Sequence, residues 1–434
     1  MMQSNLEVLG PIERRLDISV PVAALEVEVQ ARLKKLARNL KLDGFRPGKA
    51  PLSVVARQHG AGVRQEVLSA SLQAGFNAAV QEHNLRVAGY PRFEGKEAGE
   101  GQELRYSAVF EVYPEVKIGE LSSGKIKRPQ ISLTEEDVDK TLEVLRKQRR
   151  VFNPVERPAQ NYDRVKFDFV GTLGGQAFEG GEGKGYITIL GEGHFLKDFE
   201  ANLIGLAVGQ SKGFDMSFPV DYAAAHLAGK VVHFEVSLHE VAEPKLPEVN
   251  ADFAKAMGVA DGDVTTLREE IKANLQREVK RRVQTQVKEQ VMKLLSDNTE
   301  LQVPQSLVAM EAERLSQQAQ MDAAARKLQE LSVPADMFKE QASRRVRLGI
   351  ILAEVVKAQG LSAKPEQVRA LVEELAQSYE DPEQVVTWYF ENPERLQEVE
   401  TLALEENVVA WTVAQANVED VPTSFDDLMG RGKA

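Results

Sequence analysis

Apolar residues recur at three- and four-residue spacing near the start of the chain, at Leu25, Val29, Leu33, Leu36 and Leu40, which predicts a helix from about Ala23 to Leu40. Val63, Val67, Leu68, Leu72, Phe76 and Val80 keep the same period and predict a second helix from about Val63 to His83. The segments from Leu85 to Phe93 and from Leu104 to Val112 alternate instead and read as a hairpin, so this first region is α+β. A further helix is expected from Thr134, whose hydroxyl can cap it. Glu135, Glu136 and Asp137 stand at its positive end and Arg146, Lys147, Arg149 and Arg150 at the other. Its stripe of Val138, Leu142 and Leu145 must dock on something outside the helix. Between about Val151 and Pro247 the texture turns to short alternating runs and many glycines. Val165, Phe167 and Phe169 define one strand, and Val232, Phe234, Val236 and Leu238 another, each with one wet face. After Pro247 the pattern is helical. Thr266 and Glu269 suggest a capping box for a helix reaching about Leu295. Its apolar positions Leu267, Ile271, Leu275, Val279, Val283, Val287 and Val291 fall every four residues. Each step therefore turns the stripe by about 40°, and different segments must meet different partners.

The chain has 434 residues, enough for about three domains at roughly 100–200 residues each. We expect a multidomain α+β protein: an α+β domain over 1–112, a linker with a helix over 113–150, a β-rich domain over 151–247 and an extended all-α domain over 248–434. The net charge of −12 argues against nucleic acid coating the whole surface. The first 112 residues, however, carry 15 Lys and Arg against 13 Asp and Glu, so the acidic excess lies further along. No cysteine is present, which excludes disulfides, thiol nucleophiles and Cys-ligated metals. No basic start leads into an apolar stretch and no run of 18 apolar residues occurs, so a cytoplasmic protein without a membrane partner is the expectation.

Between Arg32 and Arg64 nine basic residues face one acid, Asp43. At the centre lies Asp43-Gly44-Phe45-Arg46-Pro47-Gly48-Lys49-Ala50-Pro51, a tight exposed loop between two helices. An aromatic ring at the tip of a cationic loop offers apolar anchorage beside charges that meet phosphates or carboxylates. A basic run is more commonly a solvated helix face with its Phe folded inward, but two Gly and two Pro around the ring argue for the docking loop. Phe45-Arg46-Pro47-Gly48-Lys49-Ala50-Pro51 resembles the Phe-Arg-x-Gly-x-x-Pro signature of the trigger factor family, ribosome-associated chaperones of bacteria. The resemblance implies docking on the large ribosomal subunit beside the exit tunnel, against a ribosomal protein and neighbouring rRNA. Phe45, Arg46 and Gly48 would form the docking core of a contact that takes in Pro47 and Lys49, with Lys49 and Arg57 supporting by charge alone.

Gly183-Lys184 suggests a phosphate loop, but Phe178 stands where the earlier glycine should be and Gly185 where the hydroxyl should be, so turns between strands are the better reading. The segments Phe167 to Gly171, Phe178 to Gly181, Leu190 to Glu200, Phe218 to Tyr222 and Val232 to Phe234 instead resemble an FK506-binding-protein (FKBP) type peptidyl-prolyl isomerase. Such a site needs aromatics: amide resonance sets a barrier of about 18–20 kcal/mol, and a dry apolar pocket favours the twisted, less polar amide. The resemblance places Phe169, Phe178, Phe195, Leu196, Phe199 and Phe234 in the pocket, the Tyr222 hydroxyl on a substrate carbonyl, and Glu179 at the family's acidic position. For any one of these rings core packing is the commoner explanation; the set argues for a pocket. Lys197-Asp198 stands where the family usually has Pro-Gly, a departure that bears on the turn presenting Leu196 and Phe199 and leaves the strength of isomerisation open. His233 and His239 lie about 20 Å apart along one strand, and no metal motif occurs, so no metal or cofactor is expected.

Six of the nine methionines lie in 248–434, and flexible thioethers suit surfaces that accept varied apolar partners, although core filling is their commoner use. Together the three parts follow the order of trigger factor: docking domain, FKBP-like isomerase, helical chaperone domain. The resemblance implies an ATP-independent chaperone for nascent and unfolded polypeptides with secondary prolyl isomerase activity, and allows a homodimer away from the ribosome. Two alternatives stay open: a free-standing isomerase with a helical dimerisation region, and a scaffold with an inactive isomerase module.

Overall fold

The computed structural model describes residues 4–40, 45, 51–95, 103–222, 224, 226–325, 333–377, 379 and 381–430. Strands β1 (Ser4–Val8) and β2 (Glu13–Pro21) lead into helices α1 (Val22–Asn39) and α2 (Leu52–Glu82), followed by β3 (Val87–Gly95) and β4 (Glu103–Val112). The strands form an antiparallel sheet in the order β1-β2-β4-β3. Alternation along β2 sends Leu16, Ile18 and Val20 into a core with Leu25, Val29 and Leu33 of α1 and Val55, Val67 and Phe76 of α2. Helix α2 starts eleven residues before the expected Val63, because Pro51 sets its entry and the helix runs through Gly60 and Gly62. Glycine weakens a helix by about 1 kcal/mol but does not by itself break one.

Short strands β5 (Lys117–Ile118) and β6 (Lys125–Gln130) precede α3 (Glu135–Gln148). Thr134 caps α3 in a capping box with Asp137. Val138 and Leu142 of α3 pack with Phe253 of α5 (Ala251–Ala256) and with Leu267, Ile271 and Leu275 of α6 (Val264–Asp297). The cap of α6 is Asp263, whose carboxylate accepts the Thr265 and Thr266 amides at 3.1 and 3.2 Å. The expected Thr266 cap is thus corrected: Thr266 lies inside the first turn and donates its hydroxyl to Asp263.

Five strands, β7 (Val151–Pro154), β8 (Arg164–Leu173), β9 (Gln176–Ile189), β10 (Ser211–Ser217) and β11 (Val231–Lys245), build an antiparallel sheet in the order β10-β11-β8-β9, with β7 on the far end of β11. Val165 and Phe167 of β8 and Val232, Val236 and Leu238 of β11 are fully buried, while His233 and His239 face water. Helix α4 (Lys197–Leu203) adds Phe199 and Leu203 to this core. The remaining elements are β12 (Thr299–Glu300), α7 (Gln305–Ala325), α8 (Lys339–Gln359), α9 (Pro365–Ala376), α10 (Pro382–Glu391), α11 (Pro393–Gln415), β13 (Asn417–Pro422) and α12 (Phe425–Leu428).

The chain divides into two compact units, Met1–Arg128 with Gln284–Val421, and Pro129–Val283 with Pro422–Ala434. In the first, Glu111 at the end of β4 caps α7. Its carboxylate accepts the Gln305 amide at 2.9 Å and the Ser306 amide at 2.7 Å, and the Ser306 hydroxyl lies 2.5 Å from it. Close approach is possible because Gly89, at φ +80°, sits at a register shift in β3, where a Cβ would meet Ser306 at 2.6 Å.

Candidate functional site: an aromatic cleft

A cleft of about 590 Å³ opens on the β8–β11 sheet beneath α4. Its floor comes from alternation in two paired strands, which puts Phe169 of β8 and Phe234 of β11 on one face, and from Phe199 of α4. These three rings are 9, 5 and 2 % exposed. Phe199 meets Phe234 edge-on at 5.2 Å between ring centroids and Phe169 edge-on at 6.0 Å, and Phe195 stacks on it at 5.0 Å with 17° between planes. Phe178 and Leu196 are half-buried on the walls. Glu179 is exposed, and Tyr222, 37 % exposed, stands edge-on to Phe218 at 4.7 Å. The structure therefore brings all eight residues singled out in this region into one cleft.

Several lining residues escaped the sequence reading. Tyr186 of β9 pairs opposite Phe167 and touches Phe195 at 5.4 Å; Phe218, Met216, His194 and His226 also line the space. Tyr186 was hidden because β9 is glycine-rich and makes two register shifts against β8, which erases its alternation. Phe218 was legible as part of a motif but not as a wall.

Lys197 and Asp198 are the first two residues of α4. Leu196, at φ −58° and ψ 139°, is the N-cap of α4, and its carbonyl accepts the Phe199 amide at 2.8 Å. Asp198 and Glu200 then lie in the first turn, where the dipole favours acids. Before α4, the loop 191–195 contains Gly191 and Gly193 at φ +85° and +76°. Glu192 of this loop is joined to Arg150 at 2.5 Å, and the hydrogen bond and charge of that guanidinium hold its carboxyl below the usual range. On the outer face of β8, Asp168 is likewise lowered, by the Gly185 amide at 2.6 Å and then by His239 at 2.9 Å.

Of the basic loop, Phe45 is 39 % exposed, and Arg46, Pro47, Gly48 and Lys49 lie outside the described residues. Part of the positive excess around it is offset, since Arg32 bonds Glu28 at 3.4 Å and Arg64 bonds Glu26. Arg57 lies on α2.

Three family models match the chain. Those described as bacterial trigger factor protein (TF) and its C-terminus cover residues 2–145 and 263–414, and that of FKBP-type peptidyl-prolyl cis-trans isomerase covers residues 155–239. A trigger factor of Thiobacillus denitrificans is 59% identical over 431 residues, spanning 99% of this chain and 100% of that protein. The chain belongs to the trigger factor family. Trigger factors of Nitrosospira multiformis and of an Azoarcus species are 52% and 51% identical over 434 residues, each spanning 99% of this chain, and 100% and 99% of those proteins. As in trigger factor generally, the chain joins a chaperone to an FKBP-type prolyl isomerase domain, and that domain contains the aromatic cleft. The free-standing isomerase is not favoured, since N- and C-terminal trigger factor domains flank the isomerase segment. Among the described residues no helix is long and apolar enough to cross a membrane.

Proposed function

We propose that the aromatic cleft is the prolyl isomerase site, with Phe169, Phe178, Phe195, Leu196, Phe199 and Phe234 gripping the proline ring, Tyr222 donating to a substrate carbonyl and Glu179 at the rim. The observation that carries this reading is the convergence of these rings from β8, β9, β11, α4 and the 191–195 loop on one cleft open to solvent. A hydrophobic enclosure of this kind stabilises the twisted amide, in which resonance and dipole are reduced, more than the planar one. No proton transfer is required. Half-buried Phe178 and Leu196 give the entrance an apolar side, alongside the polar groups of the rim, which suits a chain segment that is itself unfolded.

We assign ribosome docking to Phe45, Arg46, Pro47, Gly48 and Lys49, on the large subunit near the exit tunnel, against ribosomal protein and rRNA. Family membership supports ribosome and nascent-chain binding in general, and the exposed ring of Phe45 beside basic neighbours supports this loop as the contact. In this reading 1–112 docks, 113–150 links, 151–247 isomerises and 248–434 receives nascent and unfolded chains in the cytoplasm, with a homodimer away from the ribosome. Met310, Met321 and Met337 in the last region are 45, 67 and 74 % exposed, giving adaptable apolar contacts without ATP or a cofactor. The test measures isomerisation of a proline tetrapeptide and suppression of aggregation of a diluted, unfolded protein, for wild type and Tyr222→Phe. Slower isomerisation with unchanged suppression supports a chaperone whose shielding is separate from its cleft. Equal loss of both would place client shielding in the cleft and overturn the division.

A further inference from the structure

Glu200 is a carboxylate in the core of the isomerase module, 4 % exposed, one residue beyond the cleft-floor ring of Phe199. It does not line the cleft. Its two oxygens bridge the ends of the preceding loop: Oε2 accepts the Gly191 amide at 2.9 Å and Oε1 accepts the Phe195 amide at 3.2 Å. The loop between is bent by left-handed Gly191 and Gly193, and a Cβ on Gly191 would fall 2.1 Å from Asn161 Oδ1. Glycine allows this shape, but allowing a shape does not fix it, because glycine also enlarges the choice of alternatives. A buried ion is costly unless its lone pairs are filled, so a carboxylate here is stabilised only while both amides point at it.

We propose that Glu200 is a positioning residue for prolyl isomerisation: its carboxylate clamps Gly191 to Phe195 and so holds the Phe195 ring stacked on Phe199, setting the width of the cleft. The clamp acts on the ring and never on the substrate. The geometry also fixes what a substitute must do. Glutamine matches the size, but its amide keeps one acceptor and turns an NH2 group toward the second N–H, so one end of the loop is released. Aspartate is one methylene shorter and does not span both amides.

This inference rests on the cleft being the isomerase site, and the experiment separates the two. In the full chain, kcat and KM for a proline tetrapeptide and the backbone amide signals of Gly191 and Phe195 are measured for wild type, Glu200→Gln and Val241→Ala, the last a truncation in the same core at a residue outside the loop and the cleft lining. All are compared at 10 °C, after calorimetry has shown each to be folded there. Glu200→Gln is expected to lower kcat/KM about tenfold, the scale of a misplaced contact group. At least one of the two amide signals should move upfield as its charge-assisted bond is lost. Val241→Ala, though less stable, should stay within twofold of wild type. Glu200→Gln activity within twofold of wild type while an amide signal moves overturns the proposal, as does an unchanged pair of signals. An equal loss in Val241→Ala overturns it too, since general loosening would then account for the effect. If wild type itself does not isomerise the peptide yet the amide signals respond, the reading of the cleft has failed and the clamp has no catalytic role.

Discussion

Truncating Phe199 to alanine removes the ring on which the cleft and the module core both depend. Phe199 is 2 % exposed and has five aromatic neighbours at centroid distances of 5.0 to 6.0 Å: Phe167, Phe169, Phe195, Phe214 and Phe234. A buried Phe→Ala change costs about 3–5 kcal/mol, through lost transfer energy and the cavity left behind. Domains of this kind have about 5–15 kcal/mol in all, so the variant should remain folded in the cold but melt early. At about 4–8 °C per kcal/mol for a module near 100 residues, the fall in its midpoint should be about 12 °C or more. Calorimetry of the full chain is the assay, because residues outside the module should melt as in wild type. Turnover of a proline tetrapeptide at 10 °C then separates the two roles of the ring: the folded variant should still be at least tenfold slower, since its floor is gone. A midpoint shift under about 5 °C would refute the packing argument. Wild-type turnover in a variant with the full shift would refute the cleft.

Three smaller changes probe single contacts. Tyr222→Phe removes only a hydroxyl from an exposed ring, and its kcat/KM should drop about three- to tenfold, as for one hydrogen bond of about 0.5–1.5 kcal/mol, with an unchanged melting temperature by calorimetry. Glu192 has its carboxyl lowered by Arg150 in the folded state, so the stability it adds is present above the ordinary carboxylate pKa and is lost as pH falls through the lowered value. Denaturant titrations should accordingly find Glu192→Gln less stable than wild type at pH 7, with the gap narrowing as pH falls below the ordinary carboxylate range; a gap that does not narrow in acid would contradict this. Glu111→Ala uncaps α7 at a cost of about 0.5–2 kcal/mol, and hydrogen exchange at the Gln305 and Ser306 amides should accelerate by roughly two- to thirtyfold while the interior of β4 is unaffected.

Much of the cleft was legible because its makers alternate. Phe167 and Phe169 in β8, and Phe234 in β11, belong to strands with one wet face, and strict period two can be read from sequence. What stayed hidden has a physical reason in each case. Tyr186 follows two register shifts that no local pattern reveals. Glu200 is an acid on a helix, which as a letter signals exposure, and only its two amide partners make burial tolerable. The tie between Glu111 and Ser306 spans 195 positions and depends on a glycine bend in a third strand, information that is not local at all. Helix caps failed by a smaller margin: Asp263 and Thr266 are both capping types three residues apart, and the structure uses the acid. The spiral stripe of α6 was readable, and its consequence is seen in which residues bury: Leu267, Ile271 and Leu275 join the cluster of α3 and α5, while Val287, Val291 and Leu295 are buried within the other compact unit.

The claim on which the functional account turns is that a chaperone body is brought to the ribosome by one loop. Sedimentation of the full chain with 70S ribosomes through a sucrose cushion, at low and raised salt, tests it directly against a variant carrying Phe45→Ala, Arg46→Ala and Pro47→Ala. Wild type is expected to pellet with ribosomes, less so at raised salt because phosphate contacts are screened, and the triple variant to stay in the supernatant. A wild type that never pellets, or a triple variant that pellets as well as wild type, would contradict it.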